Sequence, residues 1–353
     1  MKKFNLIFFL FSFFILQAKQ IEVCKTCEIS TIKAALEIAE NGDEIFLKKG
    51  VYKENDIEVS KEVSIYGEDG TVIDGDNKGS ILHITASNFQ LRNLKIINVN
   101  VSYTKDYAAV KVVRSKNFII ENLVLDQVFF GILIEKSHYG KILNNTLSST
   151  AKDEANSGNG IHIWHSSNME VEGNEVYGMR DGIYFEFVDE SRISKNLSHD
   201  NIRYGLHFMF SNNDTYYNNE FKNNGAGVAV MFSKFITMYQ NKFSHNWGSA
   251  SYGLLLKEIY DTQIYDNIFE ENTIGIKGEG CTRINYKNNT FLRNGWAIKI
   301  AGACYANIFE ENDFMHNSLD LSYNSKVNDN VFKNNYWSEY TGYDLDKDGV
   351  GDV

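Results

Sequence analysis

Apolar and polar residues alternate in short segments that recur along most of the chain, and each segment opens with glycine. The residues one and three positions after that glycine are almost always apolar, as in Ile161 and Ile163. An apolar period of two predicts a strand with one buried face. The opening glycines are Gly131, Gly160, Gly182, Gly205, Gly227, Gly253 and Gly275.

An asparagine follows fourteen residues after each of these glycines, and further apolar rows follow at eleven and sixteen residues. Three apolar rows per repeat predict three short strands in a coil of about 22 residues. Such small units bury a core only by stacking, with strands of neighbouring coils about 4.8 Å apart. The asparagines are Asn145, Asn174, Asn196, Asn219, Asn241, Asn267 and Asn289.

This spacing predicts an all-β fold, a right-handed parallel β-helix with an asparagine ladder at one corner and stacked phenylalanines inside. A β-propeller would need about 40 residues per blade and antiparallel hairpins, which the spacing does not supply. Near the N-terminus, Ile32, Ala35, Leu36 and Ala39 predict one or two helical turns before a strand at residues 44–47. We expect this helix to cap the open end of the solenoid.

The chain divides into three predicted regions. Residues 1–18 have a basic start, an apolar run and Ala18 at the end, which indicates a secretory signal cut after Ala18 and a periplasmic or extracellular mature protein. Residues 19–335 form the β-helix, and residues 336–353 an acidic C-terminal motif. Proline is absent, which favours one continuous scaffold. A net charge of -11 argues against nucleic acid and suits cations or basic partners.

The second and fourth positions after each glycine are expected to point outward. In the middle coils these positions hold His162, His207, Met209 and Met231. Imidazole and thioether donors together favour Cu(I), so we predict a copper site here. The alternative is a protein-docking surface that also includes Trp164, Tyr184 and Glu186.

Two coils are longer than the repeat of about 22 residues, and their extra residues support that hypothesis. The extra residues fall near residues 149–159 and 245–251, and we expect both loops to leave the same corner and bracket the outward face, with Trp247 reaching over it. Arg180 and Arg203 each lie two residues before a glycine. We expect them to pair with Glu186 or Asp189 as surface support.

The four cysteines form two pairs. Cys24 and Cys27 form a CxxC motif, for which a disulfide is favoured over a thiolate metal site in an oxidising compartment. Cys281 and Cys304 are 23 residues apart and therefore fall in adjacent coils. That spacing predicts a second disulfide, and a buried pair of free thiols is the alternative.

Alternating aspartates, Asp344, Asp346 and Asp348, precede Gly349 near the C-terminus. They match the first half of an EF-hand calcium loop, whose last acidic ligand would fall beyond Val353. The sequence therefore predicts either a calcium site or a solvated acidic turn.

Three segments, GNGIHIW at 158–164, RDGIYFE at 180–186 and RYGLHFMFS at 203–211, resemble the NosD family, and the similarity covers nearly the whole mature chain. The resemblance implies a non-catalytic periplasmic factor in the maturation of nitrous oxide reductase. It also implies three partners: an ABC transporter, built from an ATPase and a permease, a copper chaperone, and the reductase, whose copper-sulfur cluster is assembled. Members usually continue past the point that corresponds to Val353.

Segments 50–52 and 72–75 resemble the first coils of pectin-lyase-like β-helices, and this second resemblance concerns the fold alone.

Polysaccharide cleavage or carbohydrate binding is the principal alternative function, and a passive surface solenoid is another, because fold alone does not decide function. A glycosidase needs two carboxylates at about 5 Å or about 6.5–9.5 Å. On the central outward face Glu186 has no acidic neighbour in the rows above or below it. The sequence therefore favours an accessory protein over an enzyme.

Overall fold

The computed structural model describes residues 18–150, 152–324 and 329–352. The predicted signal, apart from Ala18, lies outside these residues. Among the residues described, no helix has the length and apolar character needed to cross a membrane. The chain forms an all-β parallel β-helix of about 14 turns with one short helix, as predicted.

The helix is α1 (Ile32–Ile38). The first strands in chain order are β1 (Gln20–Val23), β2 (Glu44–Leu47), β3 (Val51–Lys53), β4 (Ile57–Val59), β5 (Ser64–Gly67), β6 (Val72–Asp74), β7 (Leu82–Ile84), β8 (Gln90–Arg92), β9 (Lys95–Ile97), β10 (Ala108–Val113), β11 (Ile119–Glu121), β12 (Val124–Asp126), β13 (Phe130–Glu135), β14 (Lys141–Leu143), β15 (Thr146–Ser148), β16 (Ile161–Ser167), β17 (Glu170–Glu172), β18 (Glu175–Tyr177), β19 (Asp181–Asp189) and β20 (Arg192–Ser194). The remaining strands are β21 (Leu197–His199), β22 (Tyr204–Met209), β23 (Thr215–Tyr217), β24 (Glu220–Lys222), β25 (Ala226–Met231), β26 (Thr237–Tyr239), β27 (Lys242–Ser244), β28 (Leu254–Lys257), β29 (Tyr260–Tyr265), β30 (Ile268–Glu270), β31 (Ile274–Glu279), β32 (Thr282–Lys287), β33 (Thr290–Leu292), β34 (Trp296–Ala301), β35 (Ile308–Glu310), β36 (Asp313–Met315), β37 (Leu319–Tyr323), β38 (Val331–Lys333) and β39 (Tyr336–Trp337).

These strands form three parallel sheets along the solenoid axis. Sheet A contains β1, β2 and then every third strand from β5 to β38, and sheet B contains every third strand from β3 to β39. Sheet C contains every third strand from β4 to β37, including the strands that follow the repeat glycines. Register follows the repeat: Ile161 pairs with Ile183, which pairs with Leu206. Each coil therefore contributes one strand to each sheet.

The N-terminal helix and the strand after it lie where the sequence predicts them. Thr31 caps α1 by accepting a hydrogen bond from the backbone N–H of Ala34. Ile32, Ala35 and Leu36 are buried on one face of the helix. That face packs against β1, β2 and β4 at the first coils, so the helix covers the end of the core.

The predicted asparagine ladder is present and buried. The Nδ2 of Asn241 donates to Oδ1 of Asn267 at 3.0 Å and to the carbonyl of Tyr216 at 3.0 Å. A second ladder, which the sequence analysis did not single out, lies five residues further along each coil. Its members are Asn201, Asn224, Asn246, Asn272, Asn294 and Asn317. Both ladders satisfy the backbone groups that the corners leave unpaired.

Phenylalanine rings stack along the interior behind sheet B. Centroid distances between successive rings are 4.6–5.5 Å, with interplanar angles of 30° or less. Offset stacks of this kind add to the burial of the rings themselves. The stacked residues are Phe221, Phe243, Phe269, Phe291 and Phe314.

Candidate functional site

The candidate site is the outer side of sheet C at strands β13, β16, β19, β22 and β25, here called the central face. The prediction that the second position of each strand faces solvent holds only in part, because His162 and Tyr184 are partly exposed while other residues of this row are buried. His207 is only 6% exposed, and Ala229 is fully buried. A strand that simply alternated would leave both in solvent.

The reason lies at the repeat glycines. A Cβ on Gly160 would lie 2.3 Å from Cγ1 of Val176, which is in the core, and the next residue, Ile161, is also buried. Two successive positions therefore face inward, and the residue before the glycine turns outward. That extra row packs on the second-position row, as in Tyr204 and His207, whose ring centroids are 4.8 Å apart.

Three rings stack along the second-position row, and Phe130, which precedes its repeat glycine, extends the stack at one end. Phe130 lies 5.9 Å from His162, His162 lies 4.7 Å from Tyr184, and Tyr184 lies 4.5 Å from His207, centroid to centroid. The Tyr184 ring thus separates the two imidazoles. A single metal ion bound by both histidines, as the sequence suggested, is excluded because the two rings contact opposite faces of Tyr184.

A buried ion pair orders the His207 end of this stack. The carboxylate of Asp181 is fully buried and accepts hydrogen bonds from Nε and Nη2 of Arg203. Its Oδ2 also lies 3.5 Å from Nδ1 of His207. Burial raises the pKa of Asp181, but the hydrogen bonds from Arg203 and the nearby imidazole of His207 hold it below its ordinary value. The expected pairing of Arg203 with Glu186 or Asp189 is therefore wrong, because Asp181 lies closer and points outward.

The His162 end is different, because no carboxylate of the described residues forms an ion pair with its imidazole. Both ring nitrogens of His162 are buried without a hydrogen-bond partner among the described residues. Burial, and secondarily the charge of Arg180, lowers the pKa of His162 to about 4, so the ring is neutral at pH 7. Arg180 was expected to pair with an acidic side chain, but its Nε instead donates to Oδ1 of Asn159 at 3.2 Å.

Two methionines lie beside His207 on the central face. Met209 pairs in register with Met231 of the next coil, and both are partly exposed. The hydroxyl of Tyr184 donates to Sδ of Met209 at 3.7 Å. Neither ring nitrogen of His207 has a hydrogen bond among the described groups, and its Nδ1 lies nearest to the carboxylate of Asp181. An imidazole oriented by a carboxylate, next to thioethers, suits a soft copper ion.

An exposed aromatic row that the sequence analysis missed borders the methionines. The row lies five residues after the glycines, at bends with φ between 46° and 53°. His165 and Phe187 lie within β16 and β19, and Phe210 and Phe232 directly follow β22 and β25. Neighbouring rings stack at 4.6–5.1 Å. The same left-handed conformation recurs at this position in other coils, for example at Lys136 and Glu258, so it belongs to the repeat, and the exposed aromatic side chains are what distinguish these four residues. The row comprises His165, Phe187, Phe210 and Phe232, whose spacing of 22 or 23 residues was visible in the sequence.

The remaining residues of the predicted docking surface are placed around this row. Trp164 lies against His165, 4.3 Å between ring centroids, and Nζ of Lys136 lies 5.2 Å from its ring. Glu186 is half-buried and pairs in register with Trp164 and Met209. The central face therefore contains these predicted residues as one contiguous surface.

Both long loops leave the corner between sheets B and C, as predicted, but they border a single edge of the central face. Trp247 is 58% exposed. Its neighbour His245 is turned away, with Nε2 2.9 Å from the carboxylate of Glu271. This ion pair ties the start of the loop to the next coil, and the placement of Trp247 over the face stays a prediction.

The cysteines behave differently at the two ends of the chain. Cys24 and Cys27 are joined by a disulfide, with Cα atoms 5.0 Å apart. Cys281 and Cys304 lie in adjacent coils, as predicted, but they are free and buried, so the predicted disulfide is wrong. The backbone N–H of Cys281 donates to Sγ of Cys304, while its own thiol is directed to carbonyl oxygens. The thiols are therefore partnered without a bond between them.

The aspartates near the C-terminus converge. One carboxylate oxygen from each of Asp344, Asp346 and Asp348 lies within 4.8 Å of the others, and all three residues are exposed. Backbone N–H groups of the same turn donate to these carboxylates, for example Gly349 to Asp344. Calcium binding at this turn stays a prediction.

Solved structures share the fold at low sequence identity. A mannuronan C-5 epimerase module of Azotobacter vinelandii is 13% identical, with a TM-score of 0.58, over 86% of this chain and 93% of that one. An exopolygalacturonase of Yersinia enterocolitica is 12% identical, with a TM-score of 0.69, over 90% of this chain and 78% of that one. At such identity the likeness concerns the fold alone.

Sequence comparison with curated proteins finds no match. A family described as periplasmic copper-binding protein (NosD) matches residues 143–342, which include the strands of the central face from β16 to β25 and both long loops. This match spans more than half of the chain and agrees with the resemblance found at residues 158–164, 180–186 and 203–211. The chain therefore belongs to the NosD family.

Proposed function

We propose that this protein is an exported, periplasmic accessory factor that presents copper during maturation of nitrous oxide reductase. Family membership supports the copper and the periplasm, and the reductase follows from the resemblance. The observation that carries the proposal is the His207 imidazole, oriented by Asp181 and adjacent to the Met209 and Met231 rows. Copper is here a cargo that is passed on.

The donor set suits transient binding of Cu(I). Thioether sulfur selects Cu(I) over Zn(II), and a neutral imidazole adds a ligand of intermediate softness. Asp181 would act as the outer carboxylate that fixes the ring of a ligating histidine. Because Met209 and Met231 are partly exposed, an ion held there remains reachable for a partner protein.

The exposed aromatic row provides the docking surface in this proposal. Contiguous exposed apolar side chains mark interaction sites, and aromatic residues dominate binding hot spots. The row directly borders Met209 and Met231, so a protein docked on Phe210 and Phe232 would meet the copper ligands. We assign this surface to the copper chaperone. The reductase and the ABC transporter, with its permease and ATPase, remain proposed partners without an assigned surface.

Polysaccharide cleavage is the second candidate function, favoured by the epimerase and exopolygalacturonase that share the fold. Such chemistry needs two carboxylates across a substrate bond. On the central face, Asp181 is buried against Arg203, and Glu186 is flanked in register by Trp164 and Met209. The arrangement favours a binding protein, and loss of an activity on pectin or alginate in Glu186→Gln would contradict that.

Reductase maturation in cells tests the proposal. A strain that carries Met209→Leu together with Met231→Leu should yield reductase with a reduced copper content, while the variant is exported and folded normally. Met315→Leu is the matched control, because Met315 is also half-buried but lies on sheet B. Normal copper content in the double variant would refute the assignment of copper to this face.

A further inference from the structure

The edge of the central face next to the loop at residues 149–159 holds polar groups that the copper proposal does not use. Nδ2 of Asn159 and both ring nitrogens of His162 are buried without hydrogen-bond partners among the described residues. Leaving a buried donor unpaired costs about 1–3 kcal/mol. Several such groups on one surface indicate a ligand that pairs with them.

Arg180 gives this cluster its charge. Within the described residues, the only hydrogen bond of its side chain joins Nε to Oδ1 of Asn159, and no carboxylate lies within ion-pair distance of the guanidinium. Arg203, one coil further on, is by contrast neutralised by Asp181. An uncompensated, half-buried guanidinium is unexpected on a chain of net charge -11.

The hydrogen bond from Arg180 to Asn159 also determines that the free groups of the cluster are donors. It occupies Oδ1 of Asn159 as an acceptor, which leaves the Nδ2 amide as a donor. His162 is a neutral imidazole with one N–H donor, and its two faces are covered by Phe130 and Tyr184. The two nitrogens of His162 lie on the ring edge, which these rings do not cover, although the edge itself is buried. The guanidinium, the amide and the imidazole N–H are therefore three donor groups, and such a set is complementary to an anion.

We propose that Arg180, Asn159 and His162 form a binding site for a small oxyanion or carboxylate, separate from the copper ligands. The planar fork of Arg180 matches two acceptor oxygens, which favours such a group over a halide. The stacked rings on either side of His162 restrict the ligand to a small size. The ring of Tyr184 separates this site from His207, so an anion and a copper ion can be held on one surface.

Calorimetric titration of the mature chain at constant ionic strength tests the site, with sulfate, phosphate and acetate as probes. We expect one site for at least one of these anions and no comparable heat from chloride. Arg180→Gln should weaken binding by about tenfold or more, as for the loss of a charged hydrogen bond. His162→Phe, which preserves the ring stack, should weaken it less and leave the melting temperature unchanged.

Arg192→Gln is the matched control, because Arg192 is exposed on sheet A and forms no ion pair within the described residues. It removes the same charge and should leave binding unchanged. Equal weakening by Arg180→Gln and Arg192→Gln would reduce the effect to general electrostatic attraction. Absence of binding for all three probes at 10 mM, taken as roughly the weakest useful affinity, would overturn the proposal without affecting the copper assignment.

Discussion

Replacement of Asp181 by Asn tests the electrostatic organisation of the central face. The carboxylate is fully buried and receives two hydrogen bonds from Arg203. Breaking one side of a buried pair costs about 3–5 kcal/mol. The side chain of Arg203 retains 30% exposure and regains part of its hydration, so we expect a loss of about 2–3 kcal/mol in the free energy of unfolding at pH 7.

An equivalent pair at the surface is a matched control. Arg283 and Asp261 are also 22 residues apart and also form two hydrogen bonds, at 2.6 and 2.8 Å, but their side chains are 56% and 33% exposed. Exposed pairs contribute about 0–1 kcal/mol. Asp261→Asn should therefore cost much less than Asp181→Asn in urea unfolding followed by circular dichroism.

The effect of Asp181 should depend on pH with a defined sign. Its pKa is lowered in the folded protein, so the pair contributes fully above the unfolded value of about 3.9 and is lost as the pH falls through the folded value. The difference between wild type and Asp181→Asn should accordingly shrink below about pH 4. A loss at pH 7 no larger than that of Asp261→Asn would refute the buried-pair argument.

Three further predictions concern the rest of the solenoid. Asn241→Ala should cost about 3 kcal/mol or more in urea unfolding, since it removes the donor to the carbonyl of Tyr216 and the acceptor of the backbone N–H of Asn219. Cys281 and Cys304 should both be alkylated in denatured, unreduced protein, as measured by intact mass. Absence of labelling would instead show that the two cysteines form a disulfide. If calcium binds the C-terminal turn, it should raise the melting temperature, and Asp346→Asn should abolish the increase.

The repeat made most of the fold predictable from sequence. Stacked coils place equivalent residues at fixed offsets, so the asparagine ladder, the phenylalanine stack and the register of Cys281 with Cys304 all follow from counting. The helix at Ile32–Ile38 and the strand at Glu44–Leu47 followed from local patterns. These features depend on the backbone period, which the sequence encodes directly.

The site was less predictable because it depends on departures from that period. Simple alternation does not reveal that a repeat glycine and the residue after it, such as Gly160 and Ile161, both face the core. In the following coils the same arrangement turns Asp181 outward and leaves His207 buried. Register likewise does not fix the direction of a thiol, so adjacent cysteines stayed unbonded. Phe210 sits at a left-handed turn, a position that strand patterning treats as a break.

Competitive titration of the reduced mature protein with Cu(I) and a chromophoric chelator tests the central claim most directly. We expect a Cu(I) site, and the double variant Met209→Leu with Met231→Leu should have a Cu(I) affinity lower by about tenfold or more, which corresponds to about 1.4 kcal/mol. Met315→Leu should leave the affinity unchanged, and Zn(II) should bind more weakly than Cu(I). Cu(I) affinity that is unchanged in the double variant, or equally reduced in Met315→Leu, would contradict the assignment of copper to the central face.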